Sequence, residues 1–313
     1  TTVDFSAYKM KTIKRRILRR MLMHKIKTLK EYALYLNDHS EELKILHQDL
    51  LINVTTFFRD TEVHKYLKTS LLTKLLKEKK AGEVLRIWVP ACSTGEEAYS
   101  IAMILLEISD TLESQTKIQI FATDLSEGAI KKARIGWYSK QELEMVTPKR
   151  IQRFFTRSEG GFRIAKMVRD ICVFAQHNIL QDPPFSRLDF ISCRNLFIYL
   201  DTPAQRRATT TFHYALKEKG YLMLGKSEAI TSSTQLFAPY NAKFKVFLRK
   251  NSVVEYSLPF ISGNPAMALL KEEPGSNGTI GVKGASKKGI QVSNHDLDKA
   301  IDEVLVADFM PAS

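Results

Sequence analysis

Cysteine is scarce in this chain: three residues, Cys92, Cys172 and Cys193, odd in number and far apart. Such a set argues against a disulfide framework and suits reduced core thiols in a cytoplasmic protein. The histidines, at 24, 39, 47, 64, 177, 213 and 295, show neither HxxxH nor Cys/His ligand spacing, so no metal site is expected. No apolar run reaches the roughly 18 residues that span a bilayer, and no signal-peptide pattern opens the chain, so membrane insertion is not expected. Acidic and aromatic residues are both missing between Lys9 and Lys30. The chain opens on Thr1 rather than Met, as an excised piece of a larger protein would.

What is present points to two domains and a tail, since 313 residues at 44% hydrophobic content can bury a sizeable core. A net charge of +13 implies an acidic partner, whether nucleic acid, a membrane surface or an acidic protein. Residues 1 to about 75 read as helical, with Asp4 or Ser6 as the first cap. Ile13, Ile17, Leu18, Met21 and Leu22 recur at helical spacing and are expected to face a small core. Lys14, Arg15, Arg16, Arg19 and Arg20 then form a cationic docking face. Nucleic-acid readers interleave aromatics with such charges, so the pattern favours an acidic protein surface.

The second domain reads as α/β. Val84 to Pro90 is a buried strand, Ala91-Cys92-Ser93-Thr94-Gly95 a turn of small residues, and the stretch through Leu105 an amphipathic helix. At such a turn backbone amides and a helix N-terminus can approach a polar, nucleotide-like ligand. Lys117 to Asp124 is a second strand ending in a carboxylate, where doubly wound folds hold a ribose diol, with a helix from about Glu127. Residues 136–172 interrupt the alternation as a small strand-containing insertion: Gly136-Trp137-Tyr138 ends a helix and Glu159-Gly160-Gly161 signals a hairpin. Val173 to Asn178 resumes the sheet with its polar end toward an adenine edge, His177 being structural rather than a base. Phe185 to Leu200 is the fourth strand and its exit, the exit reading Cys193-Arg194-Asn195; Asp182-Pro183-Pro184-Phe185 is similar to a motif of amino-group methyltransferases, but it precedes that strand instead of following it, and reads as a turn. Pro203 opens a helix expected to run to Gly220, Tyr221 to Gly225 is a fifth strand, and Phe237 to Tyr240 with Phe244 to Arg249 form a terminal antiparallel pair. Residues 251–313 read as a linker with a short helix from Asp296 to Ala307. The polar residues Asn53, Thr55 and Arg59 read either as a helix cap and surface groups or as a polar cluster projected into a cleft between the two domains, and spacing alone favours the first.

Four motifs, in order, resemble the CheR-type chemoreceptor glutamate methyltransferases: Asn53-Val54-Thr55-Thr56-Phe57-Phe58-Arg59, Ala91 to Ser100, Ala122-Thr123-Asp124 and Cys193-Arg194-Asn195-Leu196-Phe197-Ile198-Tyr199. The resemblance covers about residues 3 to 250. It implies an all-helical N-terminal receptor-docking domain (1–75), then a doubly wound S-adenosylmethionine-dependent methyltransferase domain (76–250) whose 136–172 insertion is a small β-subdomain. It further implies cofactor contacts at Asn53, Thr55, Arg59, Glu97, Asp124, Asn178, Ile179, Arg194 and Asn195, with Arg59 and Tyr199 beside the transferred methyl. The substrate it implies is the glutamate carboxylates on cytoplasmic helices of chemotaxis receptors.

The hairpin near Glu159 is short compared with family members that hold a receptor tether there. The tail resembles the linker of hybrids that fuse CheB-like and PAS domains to this one. Two rival readings remain: a non-catalytic module that senses S-adenosylmethionine or docks receptors, and a nucleic-acid methyltransferase.

Overall fold

A computed structural model describes residues 5–230 and 233–252, all within the unit Thr1–Phe260. The expected tail helix and linker, and Asp4 as a cap, lie outside the described residues. Three helices open the chain, α1 (Met10–Met23), α2 (Leu29–Asp38) and α3 (Ser40–Leu50). The first is preceded by a single 3₁₀ turn at Phe5–Ala7, and its N-cap is Lys9, which makes no side-chain cap bond; Ser6 is not the cap. Helicity then breaks. Residues 51–60 are irregular, and α4 (Thr61–Tyr66) runs through a π-helical turn at Leu67–Leu71 into α5 (Leu72–Lys77).

The alternation that follows is β1 (Val84–Pro90), α6 (Glu96–Leu112), β2 (Lys117–Asp124) and α7 (Glu127–Ile135). The insertion contains β3 (Trp137–Tyr138), α8 (Pro148–Phe154), β4 (Phe155–Ser158), β5 (Gly161–Ile164) and α9 (Lys166–Arg169). Trp137 and Tyr138 extend a three-stranded antiparallel sheet, order β3-β5-β4, rather than merely closing a helix. The main sheet resumes with β6 (Cys172–Gln176), β7 (Leu188–Cys193), α10 (Thr202–Ala215), β8 (Leu216–Leu224), β9 (Phe237–Asn241) and β10 (Val246–Arg249).

Its order is β6-β2-β1-β7-β8-β10-β9, parallel from β6 to β8 and antiparallel at the β10 edge. Strand order reverses between β1 and β7, so the crevice outside their carboxyl ends is where an open α/β sheet takes a ligand. Helix α10 stops five residues before the expected Gly220. Leu216 instead pairs with Leu188, and the Lys217 ammonium bonds Asp189 at 3.0 Å, which draws the polar Lys217-Glu218-Lys219 run onto the sheet. No helix among the described residues is long and apolar enough to cross a membrane.

Rotation of α1 about its axis separates its side chains differently from expectation. Leu22 lies nine positions after Ile13, about two and a half turns, and is 77% exposed. Arg20 lies about two turns after Ile13 and is buried, so it does not belong to the cationic docking face. Its guanidinium instead pairs with Glu42 of α3, which also accepts from the Tyr32 hydroxyl at 2.7 Å and meets His24 at 2.8 Å. The helical bundle is tied to the α/β domain by a bridge between Tyr8 and Leu200, with the Lys9 amide donating to the Tyr199 carbonyl at 2.8 Å.

Candidate active site

The turn after β1 is built by backbone geometry that most residues avoid. Ala91, Ser93 and Gly95 all have positive φ, and a Cβ at Gly95 would lie 3.0 Å from Ala133. Non-glycine residues pay for the left-handed region, so strain at Ala91 and Ser93 persists only because neighbours hold it. The Cys92 amide donates to the Thr123 carbonyl (2.9 Å) and the Tyr138 hydroxyl to the Thr94 carbonyl (2.6 Å). Asp124 at the end of β2 completes the hold, one oxygen accepting the Ser93 amide and the other the Ser126 amide, both at 2.8 Å. Burial pushes its carboxyl up, opposed by these backbone amides. Each oxygen keeps a second lone pair for a diol.

Two adjoining cavities open here, sharing Leu51, Ala91, Asp124 and Leu196. One runs past Leu125, Asn178, Ile179 and Leu180. The other is lined by Asn53, Thr55, Arg59, Glu97, Arg194, Asn195 and Tyr199 among others. An apolar slot, a diol-sized carboxylate and a second carboxylate at Glu97 follow one another along the path, which fits an adenosine carrying an amino-acid ammonium. The bases of both cavities are fixed locally: Asn53 donates to Ser126 at 3.1 Å, and Asp182 and Asn178 cap the turn after β6. His177 is structural, bonded to the Pro183 carbonyl and stacked on Phe185. The Asp182 to Phe185 segment is an irregular stretch before β7, with a bend at Asp182, rather than a regular turn.

Glu97 is the electrostatic centre. Arg194 donates to both of its oxygens at 3.1 and 2.9 Å, Ser192 to one at 3.1 Å, and the His64 ring lies 3.6 Å away. Burial alone would raise the carboxyl, but Arg194 and His64 hold it well below the usual carboxylate range. Arg194 also meets Asp60 at 2.5 Å and the Arg59 carbonyl at 3.3 Å, so its charge is compensated. Arg59 and Arg16 also line the cleft; the Arg59 guanidinium donates to the Val54 carbonyl at 3.2 Å, and its charge is near enough to help hold the Asp60 carboxyl down.

The cleft therefore brings together Asn53, Thr55, Arg59, Glu97, Asp124, Arg194, Asn195 and Tyr199, with Asn178 and Ile179 in its extension. Asn53, Thr55 and Arg59 are cleft residues, not a cap and a surface group. Of the cationic helix, Arg15 and Arg19 are exposed, Lys14 is half-buried, and Arg16 turns into the cleft. Sequence reasoning missed Glu228. Buried in the loop after β8, it accepts the amides of Gly225 (2.5 Å), Asn195 (3.0 Å) and Ile198 (3.3 Å), and so shapes the turn that presents Asn195 and Tyr199. Only its acidity at the end of a strand could have drawn attention to it.

Comparison with known proteins agrees with this architecture. The family described as CheR methyltransferase, SAM binding domain, matches residues 53–246, and CheR methyltransferase, all-alpha domain, matches residues 1–51. An uncharacterized 104.1 kDa protein of Rhodobacter capsulatus is 36% identical over 78% of this chain, which spans 26% of that protein. Chemotaxis protein methyltransferase 2 of Vibrio cholerae is 31% identical over 76% of this chain and 84% of its own length. For chemotaxis protein methyltransferase 1 of Pseudomonas aeruginosa the identity is 36%, over 58% and 67% of the two chains. With both family domains matched in order, and the cleft formed where they meet, the chain belongs to the CheR family of S-adenosylmethionine-dependent methyltransferases.

Proposed function

We propose that this chain methylates glutamate side-chain carboxylates on cytoplasmic helices of chemotaxis receptors, giving methyl esters. The observation that carries the reading is the convergence of Arg59, Arg16 and Tyr199 on a cleft whose carboxylates, Asp124 and Glu97, suit a ribose and an ammonium. S-adenosylmethionine supplies the methyl group. A glutamate acceptor, with an ordinary pKa of about 4.3, is already ionised at neutral pH, so the protein has no proton to remove. Its task is alignment. Arg59 orients one carboxylate oxygen by charge-assisted hydrogen bonds, Tyr199 donates from its hydroxyl without adding charge, and Arg16 draws the acceptor in. Alignment of this kind can lower a barrier by up to ~7 to 11 kcal/mol. Lys14, Arg15 and Arg19 extend a positive surface from the cleft toward an acidic receptor helix. The reading places the chain in the cytoplasm, as the methyltransferase part of a protein fused to CheB-like and PAS domains; the much longer Rhodobacter relative supports a larger context.

The test is calorimetric titration with S-adenosylhomocysteine, followed by transfer of labelled methyl to receptor cytoplasmic fragments. Label released as methanol by mild alkali identifies an ester. Absence of binding by the folded protein refutes the enzyme reading, and binding without transfer favours a sensing module.

A further inference from the structure

The loop that carries Arg59 is held from behind by the small inserted subdomain. Phe57 packs edge-on against Tyr138 (4.8 Å) and Phe155 (5.7 Å), both strand residues of that subdomain. Phe58 is buried, and the Arg150 guanidinium of α8 lies 4.1 Å over its ring, with His64 edge-on at 5.5 Å. Phe58 also has φ +50°, a conformation that a bulky residue keeps only when its surroundings fix it. Its amide is taken by the Ser100 hydroxyl at 3.0 Å, and the next carbonyl, of Arg59, by Arg194. Arg150 is itself rigid: Glu107 of α6 receives Nε at 2.7 Å and Nη2 at 3.0 Å in a fork that a planar guanidinium matches and an ammonium does not.

We propose that Arg150 is a positioning residue for methyl transfer: braced by Glu107, it clamps the Phe58 ring and so fixes the direction of the adjoining Arg59 side chain. The inference rests on the proposed function for its kinetic consequence, but not for its structural one. Arg150 lines neither of the two site cavities, and its contact with the site runs through the loop. The inserted subdomain is thereby a mechanical part of the catalytic loop, in addition to whatever surface it offers.

The test compares the parental protein with Arg150→Met and Arg150→Lys by three measurements: affinity for S-adenosylhomocysteine, kcat on a receptor fragment, and amide exchange over residues 53–60. For Arg150→Met we expect affinity within about twofold, kcat lower by roughly three- to thirtyfold, the range of a desolvated cation–π contact, and faster exchange confined to 53–60. Arg150→Lys, which keeps a cation near the ring, is expected to recover part of both effects. Combining Phe58→Leu with Arg150→Met is expected to add little to either single loss. Unchanged exchange at 53–60 in Arg150→Met overturns the proposal whatever the activity, as does a fall in kcat that tracks lost cofactor affinity or Tm. A parental protein that transfers no methyl at all, while Arg150→Met still loosens 53–60, refutes the proposed function and leaves the clamp standing.

Discussion

Arg194 and Glu97 form a buried, two-pronged ion pair at the base of the cleft, both Glu97 oxygens lying within 3.1 Å of a single guanidinium nitrogen. The pair divides labour among the arginines. Arg194 is compensated by Glu97 and Asp60, and under the proposed function it falls to Arg59 and Arg16 to attract the acceptor carboxylate.

Breaking this pair on one side is expected to be costly. Arg194→Met strands a buried carboxylate, and a loss of about 3 to 5 kcal/mol in urea unfolding is expected. Adding Glu97→Gln to it is expected to restore part of the stability, because the carboxylate left without its partner is then neutral. Additive losses in the double variant would show that the two residues do not act as a pair.

Asp124→Ala removes both acceptors that the diol would use, and calorimetry is expected to show S-adenosylhomocysteine affinity lower by roughly tenfold or more, as for a hydrogen bond to a charged group. Unchanged affinity would contradict the ribose assignment.

Tyr199→Phe keeps the ring and deletes the hydroxyl. Cofactor affinity is expected within about twofold of the parental value and kcat lower by roughly tenfold, the worth of one oriented hydrogen bond. An equal fall in affinity and turnover would place Tyr199 on the cofactor rather than the acceptor.

Gly225→Ala tests the missed carboxylate. The added Cβ would lie 2.7 Å from a Glu228 oxygen and 3.0 Å from the Asn195 amide, so the turn must move. Overpacking of this kind typically costs about 1 to 3 kcal/mol. Turnover is expected to fall further than stability alone explains, because Asn195 and Tyr199 hang from that turn.

Acid sensitivity is expected from the helical bundle. Hydrogen bonding from Arg20 is the main reason that the Glu42 carboxyl is held down at about 2, against 4.5 ordinarily. The unfolded chain therefore takes up the proton first as pH falls. The contribution is complete above about pH 4.5 and disappears on the way down to about pH 2, a swing of roughly 3 kcal/mol. Unfolding measured across this range in the parental protein and in Glu42→Gln should differ in slope there, and parallel curves would remove Glu42 as the cause.

The first β-α unit and Asp124 were legible because a buried strand, a small-residue turn and an amphipathic helix each leave a period or a composition in the sequence. Arg59 and Tyr199 were legible only as parts of motifs, since nothing in their spacing says that residues 140 positions apart share a cleft. Arg20 was misplaced although its register with Ile13 puts it on the apolar face; the basic run obscured the period. Arg16 needed the structure, because which face of α1 meets the cleft is set by the tie between Tyr8 and Leu200. Glu228 acts through backbone amides, which carry no sequence signature.

That tie also dictates an order of events during synthesis. Lys9 closes onto Ile198 across 189 positions of chain, through its ammonium and the Ile198 carbonyl at 2.9 Å. At ribosomal speeds of about 5 to 20 residues per second, the opening helices emerge roughly ten to forty seconds before their docking site exists. During that interval β1 to β7 are still being made, and the cationic helix has no completed cleft to dock on. The cleft is thus among the last features of the molecule to form, and a nascent chain arrested before residue 198 holds Arg16 without the groove into which it points.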